Sequence, residues 1–145
     1  MLEKEKVELA EKIYYCYVPM DEKQRMHCTD SSDKNKVGLY LEFPSGYYEY
    51  FVNESGRDIQ KVVYKHHLIG DQVLGALPAG KSLYCGAIEG WAFDLPAILH
   101  WKLYLNPLID PIEISFRESS AQLSKTEFIP AIGKAGCKNK VTFIS

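Results

Sequence analysis

Residues 94–107 read "DLPAILHWKLYLNP", and the element they form decides how the rest of the chain is laid out. Asp94 is suited to cap a helix whose first turn holds Pro96, where a missing N–H costs little. Asn106-Pro107 ends the segment, because proline restricts the residue ahead of it. These signals predict a helix inside 92–106, with Trp101 on it as a core residue.

Working outward, residues 77–91, "LPAGKSLYCGAIEGW", place a Pro-Ala-Gly turn before a strand, "SLYCGAI". Downstream, "IEISFRE" alternates apolar and polar residues, and "KTEFIPAI" closes the pattern. The order from residue 77 is therefore strand, helix, strand, strand. That is an α+β arrangement with a mainly antiparallel sheet. Upstream, "VGLYLEF" puts Val37, Leu39, Leu41 and Phe43 on one face and Tyr40 and Glu42 on the other. Pro44-Ser45-Gly46 makes a turn, "YYEYFV" follows as its hairpin partner, and "IQKVVYKHHL" fits a further strand. Residues 21–36 are polar and aperiodic, the pattern of a loop. At the start, Val7, Ala10, Ile13, Tyr14 and Tyr17 fall at helical spacing, while "KIYYCYV" has strand composition. A helix and a helix running into a strand both fit.

At 145 residues the chain is long enough for one domain with a real core. Its net charge of −2 offers no basic surplus to neutralise phosphates, so direct nucleic-acid binding is not expected. No apolar run approaches the ~20 residues of a membrane span, and the charged start lacks the apolar stretch of a signal peptide. A cytoplasmic location and no membrane contact follow as expectations. Cys16, Cys28, Cys85 and Cys137 are scattered without a CxxC pair and are expected as free thiols. His66 and His67, adjacent in a strand, should point to opposite faces and so hold no shared metal. No cofactor is expected. Ten tyrosines, six phenylalanines and two tryptophans supply aromatic surface, which builds cores and also lines pockets for flat or cationic molecules.

Taken in order, "LPAGKSLYCGAIEG", the segment through Leu95 and Trp101, "IEISF" and "TEFIPAI" resemble the second repeat of GyrI-like domains. These are also the effector-binding domains of AraC-type and MerR-type multidrug-sensing regulators. The family's turn, glycine, glutamate and closing strand fall at Leu77-Pro78-Ala79-Gly80, Gly90, Glu113, and Thr126-Glu127 with Ile129-Pro130. "GLYLEFPSG" is similar to a stretch of the first repeat. The resemblance covers residues 37–132. It implies two pseudo-symmetric β-α-β-β units whose sheets form a groove for an aromatic or cationic organic ligand. In that groove Glu113 would supply the charge, with Tyr40, Tyr84, Trp91 and Phe93 as walls.

The function implied is non-catalytic ligand binding or sensing, in a single domain over 1–145 that could serve as the effector-binding part of a transcription regulator. A protein-interaction role, such as toxin neutralisation or gyrase binding through the aromatic residues 47–52, stays open. So does hydrolysis with Glu113 activating water.

Overall fold

The computed structural model describes residues 1–20 and 46–145. The elements in chain order are α1 (Glu3–Ala10), β1 (Ile13–Pro19), β2 (Tyr47–Asn53), β3 (Ile59–His66), β4 (Gly70–Leu77) and β5 (Ser82–Ile88). They continue with β6 (Ala97–Tyr104), β7 (Ile112–Glu118), β8 (Glu127–Ile129), β9 (Lys134–Lys140) and β10 (Thr142–Phe143). The result is mainly antiparallel sheet with one α-helix among the described residues, broadly α+β. The alternating stretch 37–43, with Tyr40, lies outside the described residues.

The expected helix over 92–106 is not formed. Gly90–Asp94 is a 3₁₀ turn, and Ala97–Tyr104 is strand β6. Its neighbours explain why. Leu99, Trp101 and Leu103 point toward the core while His100, Lys102 and Tyr104 point out, a period of two rather than 3.6. Isoleucine, tryptophan and tyrosine are weak helix formers and fit a half-buried sheet well. As β6 lies between β3 and β7, its backbone is hydrogen-bonded on both sides. From residue 77 the order is thus strand, short turn, strand, strand. At the start of the chain the structure takes the second of the two open readings: helix α1 runs into strand β1.

The described strands form two five-stranded sheets, ordered β5-β2-β1-β9-β8 and β10-β7-β6-β3-β4. Their inner faces meet in an aromatic core. The Tyr15 ring lies 5.0 Å from each of Phe51, Trp101 and Phe116, and Phe51 meets Trp101 edge-on at 4.9 Å. Such pairs add about 0.5–1.5 kcal/mol each beyond the area they bury. Leu9 and Ala10 of α1 pack into the same core.

Two corners join the sheets. On one side β9 runs through buried Val141 directly into β10, so a single stretch of chain serves both sheets. On the other, the Pro78–Lys81 turn carries the chain from β4 to β5. Lys81 N–H donates to the Pro78 carbonyl at 3.1 Å, and Gly80 takes φ +74°, as a type II turn requires at that position. The turn is anchored from below: Gly80 N–H donates to the Asn53 carbonyl (2.8 Å) and Ala79 N–H to Asp58 Oδ1 (2.9 Å). Asn53, fully buried, adds side-chain bonds to the carbonyls of Arg57 and Leu77.

Cys16 and Cys137 are buried thiols, and Cys85 is half-buried. Cys28 lies outside the described residues. The two histidines depart from expectation. β3 ends at His66, so His67 is already in the turn and its ring stacks on that of His66 (5.2 Å, 3° between planes) instead of facing away. His66 Nδ1 accepts from the Leu68 and Ile69 N–H groups at 3.1 and 3.3 Å and so shapes the β3–β4 hairpin.

Candidate functional site

Among the described residues, two glutamates, Glu49 and Glu118, point into the space between the sheets. In β2, Tyr47, Glu49 and Phe51 share the inward side; in β7, Ile112, Ile114, Phe116 and Glu118 do the same. Glu118 ends β7 opposite Ala97, and Glu49 faces Gly86 of β5 across a register shift between Glu49 and Tyr50. Gly86 (φ +146°) carries no side chain there; a Cβ would stand 3.5 Å from Glu49 Oε2.

The two carboxyl groups border an open cavity of about 320 Å³. Tyr15, Tyr64 and Trp101 give it aromatic walls, and Leu74, Ile88 and Leu99 add aliphatic ones. Gln72 and Cys85 are its remaining polar lining, and no lysine, arginine or histidine is among the described residues that line it. Cavities of roughly 300–1,000 Å³ with apolar walls and a few convergent polar groups are the usual form of a small-molecule site.

The electrostatics follow from burial. Removal from water pushes the Glu49 carboxyl well above its ordinary range, to about 8, and its hydrogen bond to Glu118 and the charge of Glu118 push the same way. Tyr15 offsets this in part. Glu49 therefore keeps its proton near neutrality, because a second charge beside a neighbouring carboxyl group and out of water is costly. The Tyr17 hydroxyl donates to Glu118 Oε2 at 2.6 Å, a short charge-assisted bond. Burial, that bond and the charge of Glu118 hold the Tyr17 phenol far above its ordinary range, so it stays a donor.

The residues expected from the sequence are placed elsewhere. Glu113 is on the side of β7 away from Ile112, Ile114 and Phe116, as the alternation implies. There Lys65 Nζ donates to its Oε1 at 2.9 Å, which holds the carboxyl below its ordinary range. It borders a second open groove, of about 560 Å³, in which Glu3 and Asp110 are mixed with Lys6 and Lys102. Tyr84 is half-exposed on the outer face of β5, edge-on to Tyr48 (6.2 Å) and Tyr50 (5.5 Å). Trp91 is half-exposed in the 3₁₀ turn, where its indole N–H donates to Glu89. Phe93 is buried between Tyr17 (4.9 Å) and Tyr47 (5.5 Å) as a core residue. Glu113 and Tyr84 thus stand on the outer faces of different sheets and are not brought together.

Glu49 and Glu118 were not singled out from the sequence, though a signal was present. In "YYEYFVN" and "IEISFRE" each glutamate has the parity of the buried residues, so each strand carries one acid on its apolar side. No protein-family profile matches this sequence, and no curated protein is significantly similar to it, so the reading of the site rests on its chemistry.

Proposed function

We propose that this chain binds a small organic cation with an aromatic or apolar body in the cavity between its sheets. The observation that carries the reading is the Glu49–Glu118 pair, which places buried negative charge among aromatic faces with no lysine, arginine or histidine in the described lining. A cation there gains Coulomb attraction in a region of reduced dielectric and contact with the faces of Tyr15, Tyr64 and Trp101. From the GyrI-like resemblance this reading keeps the ligand class; the family's two β-α-β-β units and the use of Glu113 are not part of it. A sensing role within a larger regulator rests on that resemblance alone.

The test is a thermal-shift screen against aromatic ammonium ions, followed by calorimetry on two variants. A ligand that binds only the folded chain raises its melting temperature. Glu118→Gln should weaken cation binding about ten- to hundredfold, the equivalent of losing a bond to a charged group worth about 1.5–3 kcal/mol. Glu113→Gln should leave affinity unchanged. The reverse pattern would move the ligand to the outer groove and overturn the cavity reading.

A further inference from the structure

An organic cation entering this cavity meets a pair of carboxyl groups that already holds a proton, on Glu49. Glu49 is faced by Tyr15 and Tyr17 from β1, Tyr64 from β3, Cys85 from β5 and Glu118 from β7, with Tyr47 beside it on β2. β4 and β6 present neutral Gln72 and Trp101. Desolvation pushes each of these phenols and the thiol above its ordinary range, so all stay neutral around pH 7. Among the described lining residues, Glu49 is therefore where a proton is gained or lost.

That proton lies in the hydrogen bond between Glu49 and Glu118, and removing it leaves two facing carboxylates to which Tyr15 and Tyr17 supply one donor each, with acceptor capacity to spare. A quaternary ammonium ion brings charge but no N–H. A primary ammonium brings both, and its three donors can reach two carboxylates at once.

We propose that the ligand is a protonated amine whose N–H groups take the place of the proton shared by Glu49 and Glu118, so that each binding event ejects one proton. This deepens the cation reading of the same cavity and rests on it. In the exchange the Glu49 O–H bond breaks and its electron pair stays on the carboxylate. The proton leaves to the buffer, and the ammonium donates to both carboxylates. The empty pair carries one negative charge; the occupied pair carries two, against the one positive charge of the amine. Binding is then tuned by pH, since the proton competes with the ligand for one place.

Benzylamine and benzyltrimethylammonium are suitable probes, titrated by calorimetry into the full chain near pH 7 in phosphate and in Tris. For benzylamine the heats in the two buffers should differ by the ionisation heat of about one proton, and affinity should rise by up to about tenfold per pH unit between roughly pH 6 and 8. Glu49→Gln should still bind benzylamine, more weakly, with both dependences gone. Benzyltrimethylammonium should bind at least about tenfold more weakly, because it cannot donate. Benzylamine heats that are the same in both buffers, or equal affinity for the two ions, would overturn the exchange while leaving cation binding intact. Failure of both ions to bind the unaltered chain would overturn the cation reading itself, and the exchange with it.

Discussion

At the scale of the residue, Glu49 shows how a half-buried acid is tolerated by keeping its proton. In the unfolded chain it ionises near its ordinary value of 4.5, whereas in the folded chain it holds on to about 8. Below the lower value both states are protonated and the group favours neither. As the pH rises from there, the unfolded chain releases its proton first, so Glu49 draws stability away from the fold until its folded value is passed. Glu49→Gln removes this slope. In urea titrations the variant should gain on the original chain steadily between about pH 5 and 8 and run parallel to it above. A constant difference across that window would mean that Glu49 is ionised in the folded chain.

At the scale of the element, several strands were legible because their side chains alternate cleanly. "SLYCGAI" and "IEISFRE" became β5 and β7 with the bounds their patterns suggest, and "IQKVVYKHHL" became β3. Residues 97–105 alternate just as well, since Ala97, Leu99, Trp101, Leu103 and Leu105 share one parity. Asp94 and Pro96 pointed to a helix instead, but a cap allows a helix to begin without requiring one, and pairing to β3 and β7 decided the matter. The site was harder to read because its two acids come from strands far apart in sequence, and only the meeting of the sheets makes them neighbours. β9, "KAGCKNK", gave almost no signal: three lysines, an asparagine and a glycine make it look like a surface loop. It is a strand because β1 and β8 hold it from both sides, and because Gly136 lets it approach. A Cβ at Gly136 would come within 2.5 Å of the Tyr17 carbonyl oxygen, a backbone atom that cannot swing aside. Gly136→Ala should therefore destabilise the chain by about 1–3 kcal/mol, the usual cost of overpacking. Chemical denaturation with an unchanged slope would identify the loss as one of native stability.

At the scale of the whole molecule, the first sheet pairs β1 with β9, and the β9–β10 run ties that sheet to the second. Contacts this distant in sequence must wait for long loops to close, so refolding should take on the order of milliseconds to seconds, as in other sheet-dominated folds. A single exponential in the microsecond range would show that the sheets form without waiting for these pairings. Trp101 gives the means to watch. It is buried where Tyr15 and Phe51, from one sheet, meet the other, and it also walls the cavity; Trp91, the second tryptophan of the chain, is half-exposed in a turn. Trp91→Phe would leave one indole whose emission shifts to the blue when the sheets close over it and changes again when the cavity fills. The chain thus carries its own optical probe, which a stopped-flow instrument could read for folding and occupancy without any added dye.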